Sequence, residues 1–345
     1  MIKVSTPGKL YIAGEYAVVT PRHPAIIVAV DRFIDLYINK AEELGSIETY
    51  GKTVFWSREN NRIVINDNTN ELSYILAAMD ITEEYLRQRG IELDYYAIKV
   101  DSQLESPRGE KYGLGSSGAI TVATVKALLK YYDLNLSNME IFKLAALANL
   151  KINPKGSCGD IGASTFEGWI VFETFDKEWI LKKQGEVELV DLINTNWPGL
   201  HIEYLSPPRE LKLVIGWTGS PASTIKLVNH METNIVNREI IYSEFLSNSK
   251  KCVLNMISGF RENSIEEIQK QININRELLF NMGRDLGLSI ETLKLRKLCN
   301  IAIKYGGAPK SSGAGGGDCG IAIFKDKDIT DGLIEEWEKE GIISL

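Results

Sequence analysis

The chain has 345 residues, 44% hydrophobic and 25% charged, enough for one or two packed domains with a sizeable core. A formal net charge of −7 argues against a nucleic-acid partner, so an anionic ligand would have to be met by locally gathered cations. The four cysteines, Cys158, Cys252, Cys299 and Cys319, show neither CxxC nor metal spacing, which speaks against a disulfide framework and for a reducing compartment, the cytoplasm.

No signal peptide is visible, and the longest apolar run, residues 25–30, is far too short to cross a bilayer; no membrane partner is expected. In chain order, residues 2–4 and 10–13 read as short strands around a turn at Pro7-Gly8, and 24–39 as one long strand. Further strands are expected at 47–50, 53–57 and 62–65. A helix over 70–89 carries Leu72, Ile75, Leu76 and Met79 at helical spacing and stops at Gly90. A strand at 95–100 leads through a polar loop, 101–111, to a glycine-serine turn and an apolar-periodic helix. Ser137 with Glu140 forms a capping box for the next helix, which ends before Pro154. Strands follow at 167–174 and 179–183, then a mixed stretch over 184–208 near whose start the domain boundary falls, giving 1–185 and 186–345. Beyond it lie a strand at 211–217, a helix opened by 221–224, helices near 238–259, 263–284 and 289–304, a glycine-rich stretch at 306–317, a strand at 321–324 and a last helix at 330–339. The first half is mixed α and β; the second is helix-heavy.

Three stretches carry candidate chemistry. The first in importance is Lys111-Tyr112-Gly113-Leu114-Gly115-Ser116-Ser117-Gly118, which opens a helix. A helix N-terminus offers unpaired N–H groups and partial positive charge to a phosphate. Glycine lets backbone approach a ligand closely, and serine can cap the helix or reach a phosphate oxygen or a metal. Gly113-x-Gly115-x-x-Gly118 also matches the dinucleotide fingerprint, but that motif needs a strand running straight into the first glycine and an acid about 20 residues on. Here a polar loop intervenes and the nearest acid is Asp133 at the helix end. Gly51-Lys52-Thr53 resembles a Walker A tail but has Ser46 where glycine is required. The second stretch, Lys310 to Asp318, holds Gly313, Gly315, Gly316 and Gly317 directly before an apolar strand, suiting a nest of N–H groups for an anion. The third, Pro7 to Tyr16, holds Lys9; a further small-residue turn ends in Asp160.

Together, in this order, these stretches resemble the signature motifs of the GHMP small-molecule kinases over nearly the whole chain. Within that family, Gly8-Lys9-Leu10-Tyr11-Ile12-Ala13-Gly14-Glu15-Tyr16 is most similar to the phosphomevalonate kinase branch, with Tyr16 where mevalonate kinases usually carry histidine. The resemblance implies a two-domain α+β fold, with an N-terminal ATP-binding domain, a ferredoxin-like helix-rich C-terminal domain and the active site in the cleft between. It implies ATP and Mg²⁺ as cofactors and 5-phosphomevalonate as the small-molecule acceptor, in a monomer or homodimer. Gly113, Leu114, Gly115, Ser116, Ser117 and Gly118 would wrap the ATP phosphates with Lys111 beside them, and Ser116 or Ser117 would reach the metal. Lys9 would neutralise charge on the transferred group, and Asp160 matches the family's catalytic aspartate. Its setting, Gly156-Ser157-Cys158-Gly159-Asp160, departs from the Pro-Ser-Gly-x-Asp found in many members. Tyr16, Ser157, Ser223 and Gly315, Gly316 and Gly317 would hold the acceptor, and the adenine pocket is expected among residues 50–110.

Overall fold

The computed structural model describes residues 1–49, 51–65, 72–106, 108–219, 235–325 and 330–345. Strand β1 (Ile2–Ala13) pairs antiparallel with the long β2 (Ala25–Ala41), after a short 3-10 turn at Ala17–Val19. The expected turn at Pro7-Gly8 is instead a bulge inside one continuous strand, where the register shifts between Pro7 and Lys9. The cause is tertiary: a side chain at Gly8 would meet the Leu114 carbonyl at 2.7 Å, and the Lys9 amide turns out of the ladder to donate to that carbonyl.

A meander of β3 (Gly45–Thr49), β4 (Lys52–Glu59) and β5 (Arg62–Ile65) follows, then α1 (Ser73–Gln88) and β6 (Tyr95–Ser102), which inserts between β3 and β2. Next come α2 (Ser116–Tyr131), α3 (Asn138–Ile152), α4 (Gly159–Phe166) and β7 (Trp169–Glu173). The segment expected as a strand at 179–183 lies in α5 (Lys177–Gln184), capped by the Asp176 side chain accepting from the Trp179 amide. After α6 (Leu189–Asn194), β8 (His201–Tyr204) pairs with β7. The first sheet therefore runs β5-β4-β3-β6-β2-β7-β8, with β1 on β2, and its chain continues past the expected division at 185/186 as far as Tyr204.

The second unit starts with β9 (Lys212–Trp217), followed by α7 (Ile235–Arg261), α8 (Ile265–Leu286), α9 (Leu293–Lys304), β10 (Ala308–Ser311), β11 (Cys319–Phe324), α10 (Thr330–Lys339) and β12 (Ile343–Ser344). Its antiparallel sheet has the order β10-β11-β9-β12, the ferredoxin-like order, with the described helices α7 to α9 between its first two strands. The helix expected to open at 221–224 lies outside the described residues.

Helix α2 is central. Ala119, Ala123 and Ala127 pack on the sheet against Leu10 and Val28, while Val122, Val125 and Leu129 join a second core with Phe142 and Ile161. A helix apolar on all sides is a buried one, so its N-terminus is rigidly placed. The first core is continuous across the two units, uniting Leu114 with Trp217, Phe260 and Ile321. Trp169 packs at a tilt against Phe260, ring centres 5.3 Å apart, and Tyr112 meets Trp217 edge-on at 4.9 Å.

Candidate active site

The site is assembled on the end of β1. Lys9 and Tyr11 stand two apart in a strand and so project from the same face. Lys9 is only 8% exposed, its backbone amide donates to Leu114 O at 2.8 Å, and its ammonium lies 5.4 Å from the centre of the Tyr11 ring. Burial pulls its pKa below the ordinary lysine value, while Asp160, Cys319, Asp318 and Glu15 act in the opposite sense.

The glycines of the helix-opening loop give room to charged side chains. Gly113 and Gly115 have φ of +80° and +78°. A Cβ at Gly113 would meet Asp318 Cβ at 2.5 Å, at Gly115 it would meet Lys9 Cε at 2.7 Å, and at Gly118 it would meet the Asp160 carboxyl carbon at 2.8 Å. Gly115 is the N-cap of α2 and has no side chain to cap this end, and the Ser117 side chain bonds the Tyr74 hydroxyl. Leu114 is buried and contributes its carbonyl to Lys9 rather than its side chain to the cleft.

Asp160 sits in the first turn of α4, behind a Cys158 N-cap held at φ +61°. The Ser157 hydroxyl pairs with the Tyr11 hydroxyl at 3.1 Å, and the Asn149 amide donates to the Cys158 sulfur at 3.5 Å. Burial first, and Asp160 second, raise the Tyr11 phenol, which keeps it neutral.

The third motif divides its work. Lys310 is fully buried and bonds the Glu15 carboxylate and the Ser311 carbonyl, so it is a strut rather than a cleft cation. Ser312 Oγ accepts from the Tyr11 amide at 2.9 Å and donates to the Tyr11 carbonyl at 2.9 Å. Gly313 and Ala314 line the cleft. Gly315 and Gly316 turn toward Ile290: a side chain at Gly315 would collide with its carbonyl, and the Gly316 amide donates to that carbonyl at 2.9 Å. Gly317 continues the loop at φ +149°. Tyr16 is a brace as well, donating from its hydroxyl to the Ala314 carbonyl and accepting at its own carbonyl from Tyr242 at 3.0 Å.

These elements enclose a polar cleft of about 470 Å³, into which Lys9, Lys111, Gly113, Gly115, Ser116, Ser117, Ser157 and Asp160 all face. Ser223 lies outside the described residues. Sequence reasoning missed Tyr11, Tyr74, Asn149, Asn153, Ser312 and Asp318, which also line the cleft. Strand periodicity from Lys9 could have found Tyr11; Tyr74 comes from the first turn of α1 and had no local signal. A smaller hollow of about 130 Å³ adjoins the cleft, sharing Tyr74, Lys111, Ser116 and Ser117 with it and otherwise walled by Ile34, Thr49, Ile75, Val100, Ser102 and Ile120. Among the described residues, no cluster of three or more His, Cys, Asp or Glu side chains could hold a metal by itself, and no helix is long and apolar enough to cross a membrane.

Two family models match this architecture: GHMP kinases N terminal domain over residues 73–168 and GHMP kinases C terminal over 256–343. The chain belongs to the GHMP kinases. It is 36% identical to a phosphomevalonate kinase from Streptomyces sp. (strain CL190), covering 98% of this chain and 94% of that one. The solved structure of Streptococcus pneumoniae phosphomevalonate kinase in complex with phosphomevalonate and AMPPNP superposes with a TM-score of 0.87 at 30% identity, covering 100% and 98% of the two chains. A Lin0012 protein from Listeria innocua superposes with a TM-score of 0.90 at 37% identity, covering 99% and 96%.

Proposed function

We propose that this chain is a phosphomevalonate kinase, transferring the γ-phosphoryl group of ATP to (R)-5-phosphomevalonate to give 5-diphosphomevalonate and ADP in the mevalonate route to isoprenoids. The observation that carries this is the meeting of a buried lysine, a glycine-lined helix N-terminus and an aspartate in one cleft, in a chain similar to phosphomevalonate kinases along its length.

The triphosphate lies along Gly113 to Gly118, where the α2 amides and Lys111 meet its charge. The adenine takes the adjoining slot, whose Ile34, Ile75, Val100 and Ile120 walls suit an aromatic base. Ser157, Ser312 and the backbone at Gly313 and Ala314 hold the acceptor, with Tyr16 bracing Ala314 from behind. Ser223 and the Gly315 to Gly317 loop are proposed to complete that side.

A phosphate oxygen of the acceptor attacks the γ-phosphorus, a P–O–P link forms, the bond to the β-phosphate oxygen breaks and ADP leaves. A phosphate monoester has its second pKa near 6, so its oxygen is already ionised at pH 7. No base is needed to make the nucleophile, and the larger task is to hold two anions together. Lys9 does this from inside the cleft, and Asp160 orients the ammonium and fixes the α4 turn. Catalysis is positioning plus electrostatic stabilisation.

Magnesium keeps most of its water and takes one or two protein ligands when it arrives on a nucleotide. The hydroxyls of Ser116 and Ser117, in one cleft with the Asp160 carboxylate, fit that role, and the ion would neutralise phosphate charge there; Ser117 is the ligand we propose. The four cysteines are free and buried, which supports a cytoplasmic protein.

The test is ADP release with Mg²⁺-ATP and three parallel acceptors: 5-phosphomevalonate, mevalonate and none. Turnover with phosphomevalonate alone is expected. Turnover with mevalonate instead would assign the chain to the hydroxyl-phosphorylating branch.

A further inference from the structure

We propose that Tyr11 is a positioning residue for phosphoryl transfer, its ring holding the Lys9 ammonium in place and its hydroxyl tying that support to Ser157 at the head of the Asp160 turn. The inference rests on the kinase reading and adds to it a residue that the motif reasoning left unassigned.

Lys9 is buried and forms no ion pair within 4.0 Å among the described residues. The acidic side chains around it act over longer range: Asp160 on α4, Asp318 at the entry to β11, and Glu15 after β1. The close partner is the Tyr11 ring, 5.4 Å from Nζ to its centre. A carboxylate in that place would neutralise the ammonium and compete with phosphate for it. An aromatic face attracts the cation without cancelling its charge, leaving the N–H groups to a ligand.

Tyr11 is itself fixed on several sides. Ser312 bonds both its amide and its carbonyl at 2.9 Å, so the third glycine stretch sets the backbone. The hydroxyl meets Ser157 Oγ at 3.1 Å. Gly159 has no side chain because one would collide with that hydroxyl. A ring held by two other motifs can transmit their position to Lys9, which a solvated tyrosine could not.

The experiment is a double-mutant cycle on kcat/KM with Tyr11→Leu, Lys9→Met and the pair. Tyr11→Leu is expected to lower kcat/KM roughly 3- to 30-fold, the range a desolvated cation–ring contact supports. In the Lys9→Met background the same change should cost less than about 2-fold, because its target is gone. Tyr11→Phe should recover most of the loss. An equal loss in both backgrounds, or a Phe variant as poor as Leu, overturns the proposal. Should Tyr11→Leu fail to fold, Tyr11→Phe with Ser157→Ala decides the hydroxyl link: both remove the same bond, so losses that simply add overturn it. The cycle is also read on Mg²⁺-ATP affinity by calorimetry, which requires no turnover. A wild-type protein inactive with every acceptor sinks the kinase reading, whereas uncoupled Tyr11 and Lys9 effects on nucleotide affinity sink this inference alone.

Discussion

The backbone amide of Lys9 donates to the carbonyl of Leu114 at 2.8 Å, fastening the strand that carries this lysine to the loop that opens the central helix. One bond thus joins residues more than a hundred positions apart in the chain. It sets where the lysine stands relative to the α2 N-terminus, and it explains why β1 bulges at Gly8 instead of turning.

Gly115 makes the same relationship testable. Alanine there would have to accept φ of +78° and would press on Lys9 Cε at 2.7 Å. The side-chain end can swing aside, so stability should fall only by the backbone strain, about 1–3 kcal/mol. Activity should fall by about tenfold or more, because the group displaced is the one proposed to neutralise the transferred charge. Gly90→Ala is the control: its φ is +73°, but nothing lies within 4 Å, so it should cost stability without a matching loss of kcat. Thermal unfolding and steady-state kinetics on both variants check this.

Lys9→Ala should cost more activity than Asp160→Asn. If the acceptor arrives ionised, removing the cation leaves two anions facing each other, while the amide keeps most of the aspartate's shape and bonding. Losses of about 10²- to 10³-fold are expected for Lys9→Ala, in the range of a lost transition-state donor. An equal or larger loss for Asp160→Asn would restore the aspartate to the role of general base.

Activity should decline on the alkaline side at a pH below 10.5, the ordinary lysine value. The sign follows from burial: Lys9 works as the cation, and desolvation makes the cation easier to discharge, so its charge is lost earlier as pH rises. Asp160, Cys319, Asp318 and Glu15 act against that shift. A kcat/KM profile in the free enzyme reads it, and Asp160→Asn should move the alkaline limb to still lower pH. A limb that stays in place in that variant would mean that another group sets it.

Glu15 and Lys310 form a buried pair that pins the first motif to the third. Breaking one side leaves a buried charge alone, so Glu15→Gln should destabilise by about 3–5 kcal/mol. Replacing both with apolar residues, Glu15→Leu with Lys310→Met, should recover a large part. Urea unfolding of the three variants decides it; a single-variant loss below about 1 kcal/mol, typical of a surface pair, would contradict the buried geometry.

The cysteines should be inert in the folded protein. Burial pushes Cys158, Cys252 and Cys299 up to about 12, and raises Cys319 too. A thiol is a nucleophile only as thiolate, so a thiol reagent at pH 8 should label none of the four until denaturant is added, and activity should survive the reagent. Rapid native labelling of Cys158, two residues before Asp160, would mean that the α4 turn opens.

Local signals carried much of this molecule. The glycine-serine turn, the helix after it and the Ser137–Glu140 capping box are legible because their causes lie within a few residues of each other. The gathering of Lys9, Gly113 to Gly118 and Asp160 in one cleft follows from motifs whose order was readable in the chain. What failed had distant causes. Pro7-Gly8 carries turn residues, yet a carbonyl from Leu114 decides its shape. Residues 179–183 hold too few apolar positions to separate strand from helix, and the Asp176 cap settles the matter. Nothing local in the sequence shows that Glu15 stands against Lys310, or that Ile290 stands behind Gly315. Composition reports which residue is present; it does not report which neighbour requires it.

The most direct test of the central claim is the ³¹P NMR spectrum of the product formed from Mg²⁺-ATP and (R)-5-phosphomevalonate. Transfer to the acceptor's phosphate predicts a pair of mutually coupled phosphorus signals from a new diphosphate, growing in step with ADP. A new uncoupled monoester signal beside the original one would place the phosphoryl group on a hydroxyl, and would contradict an account in which an ionised phosphate oxygen attacks beside Lys9.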